Sequence, residues 1–412
     1  MTTTASATAR PAGGRPAYRD GNVLRWLTAY TASLLGDSVY FVALGFAAAK
    51  VAPPAQVGLV MAAGAVPRAI LMLGGGVVAD RFGPRLVVIG SDTVRCALIL
   101  AAAAALALAS PGLWLLVAVA LVFGVVDALF MPAVGALPPR ITTPDQLVRL
   151  QGLRALSVRL GTVVGPPVGG LAMGLGGGAA AFTVAGLLFA TSVPLLIGTR
   201  IASLPPAERA PAGRELRDGL AYIRRHRVVG PLVLSGALCE LGLVGPLNVG
   251  MVLLADERGW GAAGYGWIIA GFGVGSAVSA LLLAVHGRIR RAGAVQIGTL
   301  LVGSVGIGFI GVAHQLAVAV AVAFLSGLIC GVCGGLATAL IQTATEPAYL
   351  GRVTSVMSLT GFGLAPLVYP LFATAVGAFG AAPVFLTSAA LAALGGAFTA
   401  FLPAIRHAEL PT

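Results

Sequence analysis

Charge is what this sequence conspicuously lacks. Of 412 residues only 10% are Asp, Glu, Lys or Arg, against about 25% in an ordinary soluble domain. That shortage excludes a water-soluble enzyme and a disordered chain alike. Lysine is rarer still: of the 26 basic residues, only Lys50 is a lysine. A phosphate-binding loop of the G-x-x-x-x-G-K-[ST] kind therefore cannot occur, which excludes ATP-driven pumping within the chain. The four cysteines make no disulfide framework. Cys330 and Cys333 form C-x-x-C inside an apolar run and read as small packing residues. The four histidines, at 226, 286, 314 and 407, fall near run edges or outside them. With no H-E-x-x-H or other ligand cluster, no metal and no cofactor is expected. No cleavable signal peptide is expected, since residues 1–22 are polar and the first apolar run is too long for one.

Apolar residues are abundant instead. They make up 58% of the chain, and the mean hydropathy is +0.96. Runs long enough to cross a bilayer, about 20 residues each, fall at about 23–49, 56–80, 86–109, 113–137, 150–175, 179–199, 229–254, 262–286, 294–313, 315–342, 352–378 and 381–403. The expectation is an all-α integral membrane protein with twelve transmembrane helices. Glycine, at 58 residues, is spread through these runs, where it lets helix backbones approach closely.

The net charge of +12 does not indicate nucleic acid, because the charges lie between the runs. With the N-terminus inside, 21 of the 26 basic residues fall in cytoplasmic segments. Only Lys50 and Arg258 fall outside, and Arg68, Arg95 and Arg159 lie within runs. That bias predicts both termini in the cytoplasm. Trp26, Trp114, Trp260 and Trp267 lie near run ends and read as interface-belt residues.

The longest polar stretch divides the runs six and six. The expected organisation is a tail at 1–22, a six-helix lobe at 23–199, a linker at 200–228, a second lobe at 229–403 and a tail at 404–412. The basic, helix-like part of the linker, Arg214 to Arg227, is expected to lie along the inner leaflet, drawn by anionic lipid. The halves look related. Leu35-Gly36-Asp37 matches Leu238-Cys239-Glu240, and Gly161 with Gly165-Pro166 matches Gly361 with Ala365-Pro366. Such a repeat suits a two-lobed secondary transporter.

Two motifs carry a family resemblance. The loop after the second run reads Gly76-Val-Val-Ala-Asp80-Arg81-Phe-Gly83-Pro84-Arg85. It resembles the G-x-x-x-D-R-x-G-R-R signature of the major facilitator superfamily, with Pro84 replacing the first arginine of the final pair. The fifth run contains Gly161, Gly165, Pro166, Gly169 and Gly170 in a pattern similar to the G-x-x-x-G-P-x-x-G-G motif of proton-coupled exporters in that superfamily. Close packing around a proline kink also accounts for it. Further stretches (Gly36-Asp37, Phe130-Met-Pro132-Ala133, Gly351-Arg352-Val353) resemble the branch holding enterobactin exporters and macrolide-efflux proteins. The resemblance implies the major facilitator fold, two lobes with pseudo-two-fold symmetry that rock about a central site. It also implies that Asp80 pairs with the start of helix eleven, near Arg352, in one state only. Asp80 is then expected to favour the outward-open state. The equivalent loop of the second half, at 286–291, has no acid, and Asp145 is a possible partner for its arginines.

Charges inside the runs single out the working residues. A charge at mid-bilayer costs at least about 2.5–3.5 kcal/mol and survives only where it faces the bundle interior or a partner. Asp37, Arg68, Asp92, Arg95, Asp127 and Glu240 are such charges. The structural reading pairs Asp37 with Arg68 and Asp127 with Arg95. The functional reading places Asp37 and Glu240 at matching points of the two lobes, around a central site. Glu240 has no arginine in its own half's membrane core and is the first choice for proton carriage, with Asp37 second. Arg68 is the expected contact for an anionic substrate group. Asn248, Gln342 and Tyr369 read first as helix–helix hydrogen-bond groups and otherwise as cavity lining.

Motifs and charges together point to export of a small organic molecule by proton antiport. The expected partners are that substrate, protons and the bilayer, with one chain sufficient for the mechanism. The alternatives are a metabolite importer or facilitator, and a non-transporting sensor or lipid-handling protein.

Overall fold

The computed structural model describes residues 17–109, 112–202, 212–286 and 289–409, leaving aside the side chains of 72–77, 79, 80, 212–216 and 286. All regular structure among these residues is helical. Eleven helical stretches are long and apolar enough to cross a membrane. One of them, Leu147–Ile197, has 51 residues and breaks at Gly176 and Gly177, the latter at φ +64°. At about 1.5 Å per residue it is far longer than one bilayer crossing of about 30 Å. Its two arms, 147–175 and 178–197, are therefore separate spans, and the described residues hold twelve. We label them α1 (Gly21–Val51), α2 (Pro54–Phe82), α3 (Pro84–Leu108), α4 (Leu113–Gly135), α5 and α6 (the two arms), α7 (Val229–Glu257), α8 (Gly261–His286), α9 (Ala292–Val312), α10 (Leu316–Ala344), α11 (Leu350–Phe379) and α12 (Ala381–Ala400). A linker helix, Ala212–Arg225, lies between α6 and α7.

The lobes α1–α6 and α7–α12 pack by one scheme. In the first, α2 lies against α4 and α3 against α6; in the second, α8 lies against α10 and α9 against α12. Small residues at matching crossings make this possible. A Cβ on Gly124 of α4 would enter the carbonyl of Gly64 on α2, and one on Gly327 of α10 would enter that of Phe272 on α8. Such contacts are the usual basis of helix association in lipid.

Prolines shape the individual spans. In α7, Pro246 opens a π-helical turn, Pro246–Gly250, because proline lacks the N–H that continues the ladder. Phe372 of α11 rests against Gly245 and Gly250 at the two ends of that turn. The α11 helix is interrupted at Leu364, between Gly363 and Ala365. Pro84 takes the first position of α3, directly after Gly83 at φ +83°. Proline is preorganised for that position, and glycine for that dihedral.

The basic residues mark one end of the molecule, the basic end. The α1–α2, α3–α4, α7–α8, α9–α10 and α11–α12 turns mark the far end. Buried apolar side chains form a single cluster across both lobes in the far half, running from Val39 and Phe46 through Val252 and Tyr265 to Phe372 and Phe385. Toward the basic end they separate into two clusters, one in each lobe. The lobes are thus welded at the far end and apart at the basic end.

Trp26 departs from its expected belt position. It is fully buried in the first lobe's basic-end cluster and stacks on Tyr30 at 5.5 Å. The linker helix makes contacts that its sequence did not reveal. It buries Gly219 and Ile223, stacks Tyr222 on Tyr349 at 4.4 Å and brings Asp218 to 3.9 Å from Arg352. One face therefore docks on the start of α11, and Arg217, Arg224, Arg225 and Arg227 stay exposed. His226 then accepts from the N–H groups of Val228 and Val229 at 3.3 and 3.1 Å, opening α7.

Candidate functional site

Three of the acids within the first lobe's spans meet around Arg95 of α3. Its guanidinium is fully buried and lies 3.3 Å from Asp92, 3.6 Å from Asp37 and 2.5 Å from Asp127. The rings of Phe130, Phe123 and Phe189 surround it at 4.2, 5.0 and 5.7 Å. Asp92 also accepts from Ser33 at 3.0 Å and Ser192 at 2.6 Å. These are the partners a buried ion cluster requires, since an unpaired charge there is strongly destabilising. Asp127 of α4 reaches two ways: its second oxygen is 2.9 Å from Arg68 of α2.

The pairing therefore differs from expectation. Asp127 does pair with Arg95, but Arg68 joins Asp127, and Asp37 joins Arg95. The cause is position on the first lobe's inner wall: Asp127 of α4 stands between Arg95 and Arg68 and contacts both, whereas Asp37 of α1 reaches Arg95 alone. The cluster counts three carboxylates against two guanidiniums.

That wall faces a cavity of about 270 Å³ between the lobes. Arg68, Asp127, Tyr40 and Phe123 line one side; Glu240, Asn248, Phe362 and Tyr369 line the other. Asp37 is not on its surface. Glu240 is exposed to the cavity and makes no ion pair or hydrogen bond among the described residues. A second cavity, about 460 Å³, lies toward the basic end and is lined by Gln342, Val353 and Met357. The two cavities share Glu240, Gly361 and Phe362. Phe362 was not singled out from the sequence, although its flanking glycines are a visible signal. Its ring lies under the Arg68 guanidinium at 4.4 Å, joining the lobes. Asn248 donates to Val244 within its own helix at 2.9 Å, so its cavity role and its structural role coexist.

The loop and helix-five motifs take separate places. Gly161, Gly165 and Gly169 form a stripe on α5 against Leu34, Ser38 and Val42 of α1. Gly170 meets Ala262 of α8, and Pro166 and Pro167 meet Gly266. One short motif thus packs a lobe and forms the far-end weld. At the basic end, Arg85 donates to the Ile197 carbonyl at 2.8 Å, at the negative end of the α6 dipole. Arg81 lies over Phe82 at 5.6 Å. Gly76 and Asp80 lie on α2, but their side chains fall outside the described residues. Arg352 pairs with Asp218, as above. Asp145 accepts from Gln146 at 2.8 Å, and the loop arginine Arg288 falls outside the described residues.

This geometry, two pseudo-symmetric six-helix lobes about a central charged cavity, has a family counterpart. Residues 26–364 match the sequence profile of the Major Facilitator Superfamily. The chain belongs to the Major Facilitator Superfamily. It is accordingly a multi-pass membrane transporter and not an enzyme. Among curated relatives, it is 28% identical over 319 residues to the enterobactin exporter EntS of Shigella boydii, covering 74% of this chain and 76% of that one. It is 27% identical over 319 residues to EntS of Escherichia coli, with the same coverage. Among solved structures, a bacterial homologue of the human lysosomal transporter Spinster, in an inward-facing and occupied conformation, superposes with a TM-score of 0.75 at 14% identity, covering 94% of this chain and 97% of that one. The nucleoside transporter NupG superposes with a TM-score of 0.71 at 14% identity, covering 92% and 99%. These likenesses establish the superfamily fold.

Proposed function

We propose that this superfamily member exports a small organic molecule from the cytoplasm in exchange for protons. The observation that carries the reading is the central cavity, with Arg68 and Asp127 on one lobe and an unpaired Glu240 on the other. Apart from Asn248, its remaining lining is apolar and aromatic, the usual composition of a small-molecule site. The similarity to enterobactin exporters supports outward transport of an organic metabolite or drug.

The chemistry follows from the charges. Among the described residues Glu240 has no ion pair or hydrogen bond, and it borders both cavities, so it is the group that takes a proton when substrate leaves. The Arg95 cluster, with one acid more than it has bases, is the second place where a proton restores neutrality, through Asp127 on the cavity wall. Arg68 presents a guanidinium to an anionic or hydrogen-bonding substrate group. Substrate and proton then alternate at one site.

The basic end, by its excess of arginine, is the cytoplasmic end. The far-end weld then makes this conformation inward-facing, the state that loads substrate for export. In the opposite state the basic ends close, and Asp80 stabilises that closure.

The test is accumulation of labelled antibiotics, dyes and siderophores in an efflux-deficient host. The wild type should lower accumulation of at least one class about 10-fold or more, and a protonophore should abolish the effect. Glu240→Gln should lose it while still reaching the membrane. Accumulation that rises on expression would establish import instead.

A further inference from the structure

The linker helix, α7, α11 and α12 enclose a groove at the basic end, of about 590 Å³. It belongs to neither cavity described above. Its rim is cationic: Arg224, Arg225 and Arg227 are all exposed there, beside His226. Its floor is apolar, with Leu220, Val233, Leu234 and Ala237 meeting Val356 and Phe398. No acid lines it. Leu234 and Phe398 are 49% and 38% exposed, so the floor is open to an occupant. Ala237 lies eight residues into α7, so the floor runs about 12 Å inward from the rim at about 1.5 Å per residue.

Three guanidiniums above an apolar trough match an amphiphile with an anionic head. Basic clusters at the ends of membrane helices attract anionic headgroups. Here the cluster is not a loose surface patch. The linker helix is fixed to α11 by Tyr222, Asp218 and Ile223, and the carbonyl of Ile223 abuts Gly230 of α7. The arginines are therefore held over the trough at a set height.

We propose that this groove binds an anionic phospholipid of the surrounding bilayer, its phosphate among Arg224, Arg225 and Arg227 and an acyl chain along Leu234 and Phe398. The bound lipid bridges the linker helix to the second lobe.

The test is native mass spectrometry of the full chain released from mixed micelles holding equal phosphatidylglycerol and phosphatidylcholine. Wild-type protein should retain phosphatidylglycerol about 10-fold over phosphatidylcholine. R224Q/R225Q/R227Q should lose that preference, and the lysine triple R224K/R225K/R227K should keep most of it, since a point charge serves a phosphate. L234W fills the trough without changing charge and should also release the lipid. R140Q/R149Q/R154Q removes three arginines from the first lobe's basic end and should leave retention unchanged. Equal loss in the R140Q/R149Q/R154Q control, equal retention of the two lipids, or full retention by L234W would each overturn the proposal.

Discussion

Arg95 and Arg68 are both arginines inside the membrane, yet their surroundings give them different work. Arg95 has no exposed side-chain surface, and three carboxylates and three rings enclose it. Arg68 keeps 23% of its side chain exposed at the cavity. Replacing Arg95 with Met leaves Asp92, Asp127 and Asp37 buried without their shared cation. Breaking a buried pair in this way costs about 3–5 kcal/mol. Arg95→Met should therefore fall out of the membrane fraction or unfold at much lower temperature in detergent. Arg68→Gln leaves Asp127 paired with Arg95. Its stability should stay within about 1 kcal/mol of wild type, as for partly exposed pairs, while transport of an anionic substrate drops. Equal thermal stability of the two variants would contradict this division. Phe362 belongs with Arg68: Phe362→Ala removes the ring that separates the cavities and should leave folding intact while weakening substrate retention in a binding assay.

At the scale of elements, the α1–α5 contact is set by a stripe of glycines. A Cβ at Gly165 would overlap that of Ser38, and one at Gly161 would lie 3.1 Å from the Leu34 Cβ. Gly152, on the same helix, has open space around it. Gly165→Val should destabilise the protein by about 1–3 kcal/mol through overpacking. Gly152→Ala should stabilise it by about 0.5–1 kcal/mol through helix propensity. Thermal unfolding of both in one detergent checks the pair. Adding Ser38→Gly to the valine variant should recover much of the loss, because it removes the atom that is struck. The proline sites follow another logic. Pro246 and Pro366 stand where α7 and α11 depart from regular helix, beside the cavity wall, so the second lobe bends at two places next to the site.

For the whole molecule the decisive feature is where the lobes touch. The far-end contacts of Gly58 with Tyr369 and Pro370, Gly266 with Pro167, and Gly170 with Ala262 admit no side chain. Gly170→Val is incompatible with that closure but leaves each lobe's own packing in place. It should shift the population toward the state open at the far end, in membranes and without substrate. Spin labels across the far end should then report longer distances, and labels across the basic end shorter ones. Moving a two-state balance from 1:99 to 99:1 takes about 5.5 kcal/mol, which a backbone collision at a closed interface is large enough to supply. Asp80→Asn should act in the opposite sense, raising the share of the inward-facing state, if Asp80 holds the basic ends together. Unchanged distances in both variants would mean that neither contact governs the switch.

Some of this protein was fixed along the chain and some only in space. Apolar runs, the arginine bias and two short motifs determined twelve spans, two lobes and the superfamily, because the bilayer imposes a minimum length and the glycine and proline positions constrain backbone locally. The presence of costly charges at mid-span also picked out every member of the ion cluster. Their partners were not legible. A helix shows which face a residue shares, but not which side chains the neighbouring helices bring against that face. Asp127 stands between the two arginines and Asp37 reaches only one of them, which is why Arg68 joined Asp127. Trp26 was misplaced for the same reason, since a tryptophan near a span end reads identically whether it meets lipid or another helix. Phe362, the linker helix's seat on α11 and the basic-end groove involve residues far apart in sequence. Only the packing of the two lobes brought them together.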